Sequence, residues 1–199
     1  MIPFVWWFVT ARENENFLFW VGLKKVRGSW KLINICIAIF FGLTVITQLY
    51  IAPNLMPKGV TTQSQYAGLG YSAIIPVFFF SMIQTGLGEE ILFRGFLGKR
   101  LCARLGFSVG NLLQAALFGI LHGVLFFGVI SIIRSQTDLE MSLINSIIVA
   151  IVISLFSGLG GWILGYLTEK ASGGSIIPAW LVHGGGNFLL AMAYAVNLL

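Results

Sequence analysis

Charged side chains are what this sequence has least of. Asp, Glu, Lys and Arg make up 10% of its 199 residues, where an ordinary soluble domain carries about 25%. So few charges cannot cover a water-facing surface, whereas a lipid-facing one needs none. Cysteine is nearly absent too. The two present, Cys36 and Cys102, lie in or beside apolar runs without metal-ligand spacing, which excludes a disulfide framework and a zinc finger. No repeat, low-complexity tract or second domain is visible. The net charge is +5, but no nucleic-acid recognition motif accompanies it. The basic residues flank apolar runs, where they set membrane orientation, so nucleic acid is excluded as a partner. The basic region that precedes the apolar stretch of a cleavable signal peptide is also missing.

What the sequence has in abundance is apolar length: 57% of residues are hydrophobic and the mean hydropathy is +0.91. A helix crosses the hydrocarbon core with about 20 mostly apolar residues. Five stretches reach that length: Leu32 to Ile51, Tyr71 to Leu97, Leu105 to Ile133, Met141 to Thr168 and Ile176 to Leu199. Thr137 to Glu140 reads as a capping box before the fourth; Ser175 reads as N-cap of the fifth, with Pro178 in its first turn. Ile2 to Val9 is too short to span and reads as an interfacial segment. The expected fold is therefore an all-α polytopic transmembrane bundle of about five spans. Residues 1–31 form the N-terminal interfacial and cytoplasmic segment, residues 32–199 the bundle, and about 72–197 the catalytic core. Nine basic residues (Arg12, Lys24, Lys25, Arg27, Lys31, Lys99, Arg100, Arg104 and Lys170) fall on one side of these spans and two (Lys58, Arg134) on the other. The positive-inside rule then puts the N-terminus in the cytoplasm and the C-terminus outside.

Ionisable groups inside a bilayer are costly, so each is a functional candidate. The second span contains Glu89, Glu90 and Arg94. Glu90 and Arg94 are four apart and can pair on one helix face. Glu89 points about 100° away and keeps its lone pairs free. The two histidines both lie within spans: His122, four residues after Phe118, and His183, four residues before Asn187. At 1.5 Å per residue, Glu89, His122, His183 and Asn187 all come to roughly 10–18 Å from the cytoplasmic face. A glutamate, two histidines and an asparagine suit peptide hydrolysis in two ways. Without metal, Glu89 is general base to a water, while His122, His183 and Asn187 orient it and stabilise the oxyanion. With zinc, His122, His183 and Glu89 hold the metal and leave one position for water.

The three motifs Glu89-Glu90-x-x-x-Arg94, Phe118-x-x-x-His122 and His183-x-x-x-Asn187, in that order on apolar segments, resemble those of the CAAX-protease and bacteriocin-processing (CPBP, or Abi) family of intramembrane proteases. The resemblance implies a helical fold with a cavity open to cytoplasm and membrane. It implies that Glu89 activates water, with His122, His183 and Asn187 around it and Glu90, Arg94 and Phe118 in support. It leaves Zn2+ open, and implies a hydrophobic peptide substrate, of the lipidated CAAX kind or the bacteriocin kind. The short, compact chain suggests a bacterial plasma membrane. The alternative reading of the same cavity is a bacteriocin-immunity protein that binds a peptide without cutting it. Three other readings are weaker. Gly106-x-Ser108-x-Gly110 matches a nucleophile elbow, which needs a strand before it. A rhomboid-like pair of Ser157 and His183 lacks that family's glycine, having Leu155 in its place. A transporter would show an inverted repeat.

Overall fold

The structure, a computed structural model, describes residues 1–56, 60–136 and 141–199, with residues 134–136 described by their backbone alone. Among the described residues every regular element is helical. The expected capping box at 137–140, Lys58 and the Arg134 side chain lie outside them.

Helix α1 is Ile2–Thr10, with Pro3 in its first turn. Nine residues reach about 13 Å, well short of a bilayer core of about 30 Å. Ile2, Phe4, Val5, Trp6, Phe8 and Val9 are nonetheless exposed, an apolar surface that water would not tolerate at this density. Helix α2 runs over Trp30–Leu55, started by Ser29, whose Oγ accepts from the Leu32 N–H. After it comes one helical run, Gly70–Ile133, of 64 residues. A straight helix of that length would be about 96 Å long, so it has to turn. It turns at Gly106, where φ is 76° and ψ 162°, a conformation open essentially to glycine alone. We call residues 70–105 α3 and residues 107–136 α4. Helix α5 is Leu143–Ala171, capped by Ser142 Oγ on the Asn145 N–H at 3.1 Å. Helix α6 is Ile177–Ala195.

Among the described residues three helical runs, Trp30–Leu55, Gly70–Ile133 and Leu143–Ala171, are long and apolar enough to cross a membrane; the chain is a helical membrane protein. The 19 residues of α6 have the length, but His183, the glycines at 184–186 and Asn187 dilute its apolar character. Two boundaries differ from the sequence reading. The basic stretch Lys99 to Arg104, expected to separate two spans, is the last part of α3. Lys and Arg are good helix formers, and nothing before Gly106 breaks the ladder. Helix α6 begins one residue later than expected, with Ile176 as the cap residue, although Ser175 Oγ still accepts from the Ile177 N–H at 3.3 Å.

Small residues set the packing, as they do where lipid supplies no drive for helices to associate. A methyl group at Gly119 or Gly123 of α4 would run into Ser154 of α5, so these helices touch backbone to backbone. Ile33 and Cys36 of α2, Ile163, Leu164 and Leu167 of α5 and Ala179 of α6 form one buried cluster. Ala73 and Val77 of α3 form another with Ala191 and Ala195 of α6. A strap, residues 20–29, ties the α5–α6 turn to the end of α3. The Ile176 N–H donates to Gly22 O (2.9 Å) and the Ser29 N–H to Ala171 O (3.1 Å), Ser175 Oγ donates to Lys24 O (2.7 Å), and Lys99 Nζ donates to Gly174 O (2.7 Å).

Candidate active site

Helix α3 carries two stretches of wider, π-type winding, Phe79–Leu87 and Glu90–Gly98, with Glu89 at the join between them. Such winding usually occurs as single turns and favours functional sites. The second stretch keeps the expected pairing: Arg94 Nη1 lies 3.0 Å from Glu90 Oε1, both side chains fully buried. The guanidinium also sits 4.3 Å above the ring of Phe118 on α4, and Phe93 meets that ring edge-on at 4.9 Å.

Glu90 has a second partner that the sequence does not announce. Its Oε1 accepts from His183 Nδ1 on α6 at 2.9 Å. On α4, His122 Nδ1 lies 2.8 Å from Phe118 O. A carbonyl can only accept, so this nitrogen carries the hydrogen. Both histidines therefore spend their Nδ1–H on a fixed acceptor, which leaves the Nε2 lone pair of each neutral ring free. Both Nε2 atoms face the same atom: Glu89 Oε2 is 3.8 Å from His122 Nε2 and 3.8 Å from His183 Nε2. Glu89 and His122 remain part-exposed, at 28% and 31% of their side-chain surface. Among the described residues Glu89 Oε2 has no hydrogen-bond partner.

A separation of 3.8 Å is too long for a direct hydrogen bond and leaves room for a water to come between with a small opening of the gap. Two imidazole nitrogens and a carboxylate are also zinc-type donors. Tetrahedral zinc with bonds of about 2.0–2.1 Å, however, holds its ligands only about 3.3 Å apart. Among the described residues no group of three or more His, Cys, Asp or Glu side chains is arranged to hold a metal ion. A zinc mechanism would also leave Glu90 as the base, and Glu90 is locked between Arg94 and His183. Glu89, His122 and His183 in their present positions do not fit the metal.

Asn187 is one turn beyond His183 on α6, and its Nδ2 donates to Thr85 Oγ1 of α3 at 3.4 Å. Thr85 Oγ1 in turn lies 3.1 Å from Phe80 O and 3.0 Å from Ser81 O. Sequence reasoning missed Thr85, whose only signal is its position one turn before Glu89. Trp180 was missed as well: its Nε1 donates to Met82 O at 2.7 Å and pins α6 to α3 beside the site. Of the predicted residues, His122 and His183 each come within 3.8 Å of Glu89, Glu90, Arg94 and Phe118 brace them, and Asn187 stands one turn off. Ser108 is exposed at the start of α4, with no strand before it among the described residues.

A membrane-embedded helical bundle that gathers a carboxylate, two histidines and an asparagine from three helices is built as an intramembrane hydrolase. Residues 71–189 match the family model described as Type II CAAX prenyl endopeptidase Rce1-like. The chain belongs to this family of intramembrane proteases, and the matched segment contains every residue of the site. No curated protein matches the chain, and no solved structure does.

Proposed function

We propose that the chain is a glutamate-dependent intramembrane endopeptidase that hydrolyses a peptide bond in a hydrophobic, membrane-associated peptide. The observation that carries this reading is the convergence of the His122 and His183 Nε2 atoms, each at 3.8 Å, on Glu89 Oε2, which has no other partner among the described residues. A water in that space donates one hydrogen to Glu89 and the other to a histidine Nε2, and its lone pair is left for the scissile carbonyl carbon. As the C–O bond forms, Glu89 takes the first proton. The carbonyl oxygen becomes an oxyanion, and the Asn187 amide, held by Thr85 Oγ1, is the donor we assign to it. When the intermediate collapses, the C–N bond breaks and Glu89 passes its proton to the leaving amine. Glu90, beside Arg94, accepts from His183 Nδ1 and so turns its Nε2 toward Glu89.

The CAAX prenyl endopeptidase description of the family model makes a lipid-modified peptide C-terminus the first substrate class to offer. The nine-to-two distribution of basic residues supports an N-terminus in the cytoplasm, with the site nearer that face. The test is cleavage of quenched fluorescent peptides, with and without a prenyl group, by protein purified in detergent, wild type beside Glu89→Gln. Turnover that is lost in the variant supports the reading. A folded wild type that binds such a peptide tightly and never cuts it overturns catalysis in favour of peptide sequestration.

A further inference from the structure

His183 is held by more than its bond to Glu90. Two aromatic rings from other helices stand steeply inclined to its imidazole. Phe118 of α4 has its centroid 6.1 Å away with the planes at 78°, and Phe40 of α2 lies at 6.2 Å and 66°. Both separations fall in the range of T-shaped aromatic pairs. Phe118 has other work, since it also meets Phe93 and carries the Arg94 guanidinium. Among the described residues, Phe40 meets no ring but that of His183. Its place follows from the sequence of α2. Ile33, Cys36, Phe40 and Leu43 recur at intervals of three and four and so share one face. That face packs against Leu164 of α5 and Val182 of α6, and Val182 precedes His183 in the chain. Room for the ring comes from Gly160 of α5, where a methyl group would lie 3.3 Å from Phe40 Cε2. Phe40 also lies outside residues 71–189, the segment that the family model matches.

We propose that Phe40 is a positioning residue for the hydrolytic site: its ring fixes the plane of the His183 imidazole and so keeps Nε2 turned toward Glu89. The bond from Nδ1 to Glu90, at 2.9 Å, does not do this alone. A hydrogen bond tolerates departures of about 30° from linearity, and the χ2 torsion of histidine is broad. The bond therefore leaves the ring free to rock. Nε2 sits across the ring from the bonded nitrogen, so rocking carries it away from Glu89 Oε2, 3.8 Å off. An aromatic ring packed against the imidazole removes that freedom. The contact stands on geometry alone, whereas its kinetic consequence rests on the peptidase reading.

Phe40→Leu removes the ring and keeps an apolar side chain between α2 and α5. The chain has two histidines, so ring-nitrogen NMR of the full-length protein in detergent, labelled at histidine, resolves each of them, and His122→Gln assigns the signals. Wild-type His183 should show one tautomer, with its hydrogen on Nδ1. In Phe40→Leu those signals should broaden or split while those of His122 stay as they are. Unchanged His183 signals in the folded variant overturn the proposal, whether or not the protein cuts peptides. In the cleavage assay kcat should fall about tenfold with KM within about twofold, since a displacement of about 1 Å can cost about 10²-fold. A lower thermal midpoint with unchanged kcat would make Phe40 a packing residue only, and the proposal wrong. A wild type without turnover tells against the peptidase reading and leaves the ring signals to decide the role of Phe40. If the leucine variant does not fold, Phe40→Met, whose side chain fills irregular gaps, replaces it in both measurements.

Discussion

Glu89 and Glu90 are adjacent in the chain, carry the same carboxyl group, and live in opposite surroundings. Glu90 is wholly buried, 3.0 Å from Arg94 and 2.9 Å from His183 Nδ1. Glu89 keeps 28% of its side-chain surface and comes no nearer than 3.8 Å to either histidine. About 100° of helix rotation separates the two, and that rotation buries one and leaves the other part-exposed. A carboxylate wholly buried beside a guanidinium and an imidazole is out of reach of a substrate's water. One that faces two lone-pair nitrogens across a water-sized gap has little else to do. The low dielectric that makes an intramembrane charge expensive makes this division of labour necessary: one acid stabilises the scaffold so that its neighbour can stay unpaired.

The sharpest way to break the comparison is to remove each charge in turn. Glu89→Gln should lower kcat by about 10²–10⁴-fold, the usual range for a lost general base, with the thermal midpoint within a degree or two of wild type. Glu90→Ala should do the reverse at the level of the fold. It leaves Arg94 buried and uncompensated, a loss of about 3–5 kcal/mol, read as a lower unfolding midpoint in detergent. If Glu89→Gln were the variant that unfolds, the assignment of roles would be inverted.

A smaller effect tests the aiming of Asn187. Thr85→Val removes the hydroxyl that accepts from Asn187 Nδ2 and should reduce kcat about tenfold, which corresponds to about 1.4 kcal/mol, with KM little changed. Thr85→Ser should recover most of it. In an Asn187→Ala background the same substitution should cost almost nothing more, because coupled residues do not add. An additive double variant would mean that Thr85 acts on helix packing instead.

The order of these effects follows what the sequence makes legible. The split between Glu89 and Glu90 can be read from helix geometry and the i, i+4 spacing of Arg94. The meeting of His122 and His183 can be read from depth, because apolar spans fix where a polar residue sits along the membrane normal. Depth says nothing about azimuth. The bond from His183 to Glu90, the Phe118 carbonyl that sets the His122 tautomer, and the partnership of Thr85 with Asn187 all depend on how α3, α4 and α6 are rotated against each other. The π winding of α3 is invisible for a related reason: it arises from backbone bonds that shift by one residue, and no side-chain pattern encodes it. The strap at residues 20–29 was hidden because it works through main-chain atoms, with Gly22 O and Lys24 O as acceptors. Gly106 did show itself, but as part of a nucleophile-elbow pattern; what it supplies is the φ of 76° that turns α3 into α4.

The three consecutive glycines of α6 extend the comparison to the smallest scale. From sequence they could serve close packing or the approach of a substrate backbone; the structure shows close packing at Gly184 and open space at Gly185 and Gly186. A methyl group at Gly184 would lie 3.0 Å from Met82 Sδ and 3.1 Å from Ser81 O, while at Gly185 or Gly186 it would meet nothing within 4 Å. Gly184→Ala should therefore lower the unfolding midpoint. Gly185→Ala and Gly186→Ala should each raise stability by about 0.5–1 kcal/mol, the usual gain on replacing a helical glycine. The last two differ in direction. Gly186 is three residues from His183 and shares its face, whereas Gly185 points about 200° away. If a peptide backbone enters beside His183 and Asn187, Gly186→Ala should raise KM for peptide cleavage severalfold, and Gly185→Ala should leave it unchanged. Equal KM values in the two variants would place the substrate on another face of α6.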